Sequence, residues 1–542
     1  MTPRPRSRAR SGPGVGVRAG VRLAVAGLSV VVVLACFAQP GLAHAGSLSG
    51  SLQSVGAPFW LVVVTGGGIV AASFLFATLV TDHDTIREVN DYRVLLPVGP
   101  LRRLLPLIRG VGVAGLLAVL VVGLVGPRDP LVNLAVLVVW VGWWAGYTMT
   151  TYLVADSWPL VNPWRTLASL LPKKDRSLPD RVGAWPSLVG LLGLVWLEVV
   201  SPVGDSPTTL AVVVLSYTVV TLVGAAVYED WFERADPVAR VFRLYGLMAP
   251  IQRDDPTDDP RGAGGSAVEG ANTRRDPAHD GGVELPRGSG ERDESEAETD
   301  ANADSDLPSE RDAGLPRDAG EEDADNRERT PTLSVPGTAL ARYRDAMGPD
   351  DVAFVVALLW VTTYDGLVST PAWNGVVGAV APVVPPLVTH LVTVVVGFGL
   401  FLLVYRVSTR FVRETAETYV TTRFVAGWFA PALVPIAAGY HVAHFLGYFL
   451  SLVPALAGVL ASPINPTTVT LVTLPGWFGS LQLGFVVAGH LLAVWVAHAR
   501  AFELFPGRLQ PIRSQYPFVV VMIVYTMTSL WVVAQPFTAP IT

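Results

Sequence analysis

The 542-residue chain holds a single cysteine, Cys36. One thiol excludes an intramolecular disulfide framework and every Cys-x-x-Cys metal or redox motif. Lysine is nearly as scarce: Lys173 and Lys174 are the only two, and the other basic residues are arginine. Charge is thin overall, with 15% Asp, Glu, Lys and Arg against 51% hydrophobic residues, which excludes an ordinary soluble domain. No His-Glu-x-x-His motif is present, so no zinc hydrolase of that kind is indicated. The basic residues follow the ends of apolar runs and form no recognition motif, so no nucleic-acid partner is expected.

What is abundant is the long apolar run. The N-terminus carries six arginines through Arg22 and no acidic residue, then an apolar stretch from Leu23 to Phe37, then Gly41-Leu-Ala-His-Ala-Gly46. This is the layout of a secretory signal peptide over 1–45, with cleavage expected after Ala45. Ten further runs follow at about 57–80, 106–126, 131–153, 185–202, 208–228, 350–370, 385–405, 428–455, 478–500 and 516–534. A bilayer core needs about 20 apolar residues per helix, so the fold class expected is all-α, a polytopic integral membrane helical bundle. Fifteen Lys and Arg residues fall in the short loops on one side of this scheme, from Arg87 to Arg513, and Arg128 alone falls on the other. The positive-inside rule then predicts a cell-membrane protein with both mature termini outside.

Residues 251–330 differ from the rest, with 24 acidic and 10 basic residues and almost no large apolar ones. Such a segment cannot bury enough apolar surface to offset its chain entropy. It reads as a disordered cytoplasmic insert between two five-helix halves, 57–228 and 350–534. The scarcity of lysine beside this acidic segment is a halophile-like composition. The lipid bilayer and a small-molecule or ion substrate are the partners expected, and a second membrane subunit is compatible with the chain.

Ionisable side chains inside apolar runs are costly and tend to face a bundle interior. His441 and His444 lie three residues apart on one run, which puts both on one helical face. His490 sits near the middle of the next run, and His498 is eight residues further on, too far along the axis to share its surroundings. Helix rise places Asp365 and His390 at the depth of His444. The set Asp365, His390, His441, His444 and His490 supplies the ligands of a divalent metal site. It also supplies the parts of a proton relay, a set of interhelical hydrogen bonds, or the axial ligands of a haem. Transport of a small solute, metal ion or proton therefore stands beside enzyme chemistry. A second constellation combines Tyr152 and Asp156 with Asn162-Pro-Trp-Arg165, then Glu198 and Tyr228-Glu-Asp-Trp231. Asn162 before proline reads as a helix start, and Arg165 is placed to pair with Asp156 or Glu229. Asp156, Asn162 and Arg165 read as substrate-binding candidates at the membrane surface, or as a structured interfacial loop.

The stretches Asn162-Pro-Trp-Arg165, Tyr217 to Trp231, Thr362-Thr-Tyr-Asp-Gly366, Gly439-Tyr-His-Val-Ala-His444, Gly489-His490 and Ala497-His498 resemble a family of polytopic actinobacterial proteins. These are known as membrane-integrated fenitrothion hydrolases. The resemblance covers most of the chain outside the signal peptide and the 251–330 insert. It implies hydrolysis of an organophosphate triester by an activated water, with loss of a phenolate. In that chemistry His441, His444 and His490 would hold a metal, and Asp365 would act as ligand or general base.

Overall fold

The computed structural model describes residues 58–96, 101–172, 176–253, 331–343, 345–464, 466 and 469–541. The expected signal peptide, Lys173, Lys174 and the acidic segment from 254 onward lie outside the described residues. The protein is an all-α membrane bundle. Its main helices are α1 (Phe59–Ala77), α2 (Leu101–Val125), α3 (Leu134–Leu153), α4 (Trp185–Val200), α5 (Pro207–Val227), α6 (Pro237–Gly246), α7 (Pro349–Val368), α8 (Pro371–Val380), α9 (Pro386–Thr415), α10 (Val434–Ala461), α11 (Phe478–Leu504) and α12 (Leu509–Val533). Among the described residues, nine helices are long and apolar enough to cross a membrane. The tenth expected span is α4, at 16 residues shorter than the others.

Helix starts follow the local sequence. Proline opens α5, α6, α7, α8 and α9 at its first turn, where its missing N–H costs nothing. Ser206, Asp236 and Thr370 supply side-chain caps just before three of these helices. The middle of α3, Leu137–Tyr147, is wound as a π-helix, a wider i→i+5 coil that is rarely sustained for this length.

The described residues up to Gln252 and from Pro331 pack as one compact unit, so the two halves share a core. In its centre α7 is buried along nearly its whole length. Helices α10 and α11 cross at Gly439 and Gly489: a Cβ on Gly439 would lie 2.8 Å from the Gly489 Cα. Only glycine permits that approach. Connections from alternate helices gather at one end, where Arg87 pairs with Glu503 and Gln510 donates to the Ala416 carbonyl. A small sheet lies there, with β1 (Arg93–Leu95), β2 (Ile251–Arg253) and β3 (Pro331–Ser334) in the order β1-β3-β2.

Two buried arginines pin this arginine-rich end. Arg500 is fully enclosed, donating to the carbonyls of Trp428, Leu340 and Tyr343 and lying 4.4 Å from the Trp428 ring. Arg240 on α6 pairs with Asp351 on α7, donates to the Glu233 carbonyl and covers the Phe354 ring. Burial pulls the Arg240 guanidinium down to about 10, with nearby Arg243 acting the same way, which still leaves it charged at neutral pH. At the cap of α6, burial pushes the Asp236 carboxyl up to about 6, although Tyr217 and the Ala239 and Val238 N–H groups donate to it.

Candidate functional site

The histidines of α10 diverge. Both rings touch Phe445, each 4.8 Å away by centroid, but they serve different helices. His441 turns toward α3, where its Nδ1 lies 3.0 Å from the Tyr152 hydroxyl and its ring packs edge-on against Trp144. His444 turns toward α7, where its Nε2 lies 3.4 Å from Oδ2 of Asp365. Spacing put both side chains on one face, and one face of a helix this buried meets two neighbours.

Around the His444–Asp365 pair the structure adds groups from α10 and α4. Tyr440 stacks on His444 and places its hydroxyl against Gly366, in the space a Cβ would take. Glu198 of α4 lies within electrostatic reach of both Asp365 and Tyr448. The Tyr440 and Tyr448 hydroxyls and Oε1 of Glu198 are buried with no hydrogen-bond partner. A partly enclosed cavity of about 20 Å3 adjoins His444 where α7 and α12 end, lined by Gly366, Ser369, Thr370, Tyr440, Ala443, His444, Val532, Val533, Gln535 and Phe537. That is room for a water molecule.

The other expected ligands lie elsewhere. His390 has both ring nitrogens occupied: Nδ1 is 2.8 Å from the Tyr364 hydroxyl and Nε2 is 2.9 Å from the Ile541 carbonyl. His490 bonds through Nδ1 to the Val486 carbonyl of its own helix. His498 bridges Gln515 and the Val80 carbonyl. Among the described residues no three His, Cys, Asp or Glu side chains converge on a point where a metal ion would bind. The shared depth of Asp365, His390, His441 and His444 is therefore not a shared site, because depth fixes height along the bundle and not azimuth. A haem between α10 and α11 does not fit either, since their backbones touch at Gly439 and Gly489.

The second constellation is a folded surface. Asn162 caps the short helix Pro163–Ala168, its Oδ1 accepting from the Arg165 N–H at 3.0 Å. Arg165 pairs with Glu233 at 2.7 Å and covers Phe232, not with Asp156 or Glu229 as expected. Asp156 packs against Gly246 at the end of α6. These three residues meet structural neighbours at separate points. Tyr440 and Arg500 were not singled out from sequence, whereas Tyr152, named there beside Asp156, instead meets His441. The signal for Tyr440 was its position one turn before His444, facing the same neighbours.

No family model, curated protein or solved structure matches the chain.

Proposed function

We propose that the protein moves protons, alone or coupled to a small solute, through a relay built on Asp365, His444 and Glu198. The observation that carries this reading is the His444–Asp365 pair, enclosed between α10 and α7 beside a water-sized cavity. Carboxyl and imidazole groups at membrane depth exchange protons through hydrogen bonds and single waters. Glu198 extends the set toward Tyr448, so the acceptor and donor groups run from α7 into α4. Placing the arginine-rich end in the cytoplasm by the positive-inside rule turns the cavity outward and puts the 251–330 segment inside the cell.

The triester-hydrolase reading rests on the resemblance of the His- and Asp-bearing stretches. Without a converging ligand set, it reduces to a general base, His444 oriented by Asp365, acting on a water in the cavity. That space admits the water but not an aryl ester, which favours the relay.

The test is proton flux into vesicles that carry the purified protein, a trapped pH-sensitive dye and an imposed potential. Asp365→Asn and His444→Ala are expected to lower flux at least tenfold while eluting as folded, monodisperse protein. Wild-type vesicles no leakier than empty ones, or variants with undiminished flux, would refute the relay.

A further inference from the structure

The chain beyond α12 does not leave the bundle. Thr538 N–H donates to the Ser369 carbonyl at 2.8 Å. Asn374 of α8 grips the tail twice: its Nδ2 donates to the Ala539 carbonyl at 2.9 Å, and its Oδ1 accepts from the Ile541 N–H at 3.1 Å. His390 of α9 donates from Nε2 to the Ile541 carbonyl, which leaves Nδ1 to accept from the Tyr364 hydroxyl. This anchorage swings Gln535 and Phe537 into the wall of the cavity above His444. On the opposite wall two polar atoms, Oγ of Ser369 and the Tyr440 hydroxyl, are buried without a partner. Buried hydroxyls in that state signal a missing hydrogen-bonding guest. The covering segment has no helix or strand of its own and is held by a few hydrogen bonds, so it opens at a lower free energy than the helices around it.

The geometry points to residues Gln535–Ile541 as a lid over a binding site for a small neutral hydrogen-bonding molecule of water's size, latched by Asn374 and His390. The guest sits between the Ser369 and Tyr440 hydroxyls and His444, and it enters when the latch releases. The lid and its site stand on these contacts alone; delivery of the guest's proton to Asp365 rests on the relay proposed above.

Accessibility of the cavity tests the lid without reference to flux. In the full chain with Cys36→Ser, Ala443→Cys places a thiol in the cavity wall, where Ala443 is 0% exposed. A small methanethiosulfonate reagent reports its exposure. Adding Asn374→Ala removes the double grip and is expected to raise the labelling rate at least tenfold. Ala493→Cys, equally buried in α11 and not part of the cavity wall, is expected to keep its rate. Val532→Cys, also in the cavity wall, replaces Ala443→Cys should that variant misfold. Equal labelling with and without Asn374, or equal acceleration at Ala493→Cys, would overturn the lid. Faster cavity labelling together with unchanged flux in Asp365→Asn would leave the lid standing and remove the relay.

Discussion

The Arg240–Asp351 pair predicts an asymmetry between its two partners. Arg240 has 3% of its side chain exposed and Asp351 has 34%. Asp351→Asn keeps size and an oxygen for the Gly348 N–H that the aspartate accepts, but it leaves the guanidinium charged and enclosed. Breaking a buried pair in this way costs about 3–5 kcal/mol. Nearby Asp350 still acts on Arg240, which sets the expectation at the lower end, about 3 kcal/mol, or over a hundredfold in the unfolding equilibrium. Arg240→Met is the opposite case: the methionine keeps apolar contact with Phe354, and the released carboxylate is exposed enough to hydrate. Its cost is expected to stay below about 1 kcal/mol. Equilibrium unfolding in mixed micelles at pH 7 measures both single variants and the double variant, which should recover to the level of Arg240→Met. Equal losses in the two single variants, or a double variant that loses their sum, would refute the assignment of the cost to an uncompensated buried charge.

At the α10–α11 crossing, Gly489→Ala would set a Cβ 2.9 Å from the Gly439 Cα. A loss of about 1–3 kcal/mol is expected from the forced separation, read in the same unfolding assay. Asp236 gives a pH signature: its carboxyl is raised to about 6 in the fold against 3.8 in its ordinary state. The folded protein then binds the extra proton, so this group's contribution is present below pH 4 and is lost as pH rises through 6. Asp236→Asn keeps a capping oxygen, and its stability relative to wild type should rise between pH 5 and pH 8; a flat difference would count against the buried carboxyl. Finally, β2 and β3 are neighbours in the sheet and Ser334 N–H donates to the Pro250 carbonyl at 2.8 Å. Replacing 255–328 with a short Gly-Ser linker should leave insertion and thermal stability nearly unchanged, whereas loss of folded protein would make that segment structural.

Much of the bundle was legible because apolar length is a one-dimensional property: the runs that became α1, α2, α3, α5, α7 and α9 to α12 announce themselves by composition. The pairing of Asp365 with His444 was also within reach, because helix rise converts residue number into depth. What failed was everything that depends on which helix stands beside which. His390 has the right depth but faces Tyr364 and the tail. His441 has the right helix and face but meets Tyr152. Glu198 was visible as a charge in an apolar run, but its proximity to Asp365 is a tertiary fact. Arg500 near a helix end reads as a side chain reaching for the surface. The three carbonyls that hold it inside come from segments 72 to 160 residues away in the chain. The tail after Val533 has no periodicity at all, so its return to Asn374 leaves no trace in the sequence.

The brevity of α4 has a consequence for the surrounding lipid. Its 16 residues rise about 24 Å, short of a hydrocarbon core about 30 Å thick. Beside it stands α9 with 30 residues, joined by the Trp196 ring N–H to the Leu387 carbonyl at 3.2 Å. Val189 near the start of α4 is exposed, while Trp196, Leu197, Val199 and Val200 toward its end are buried. Adjoining helices so unequal in length predict a hydrophobic mismatch on this side of the bundle. Membrane thickness is then a variable to which the protein's stability should respond.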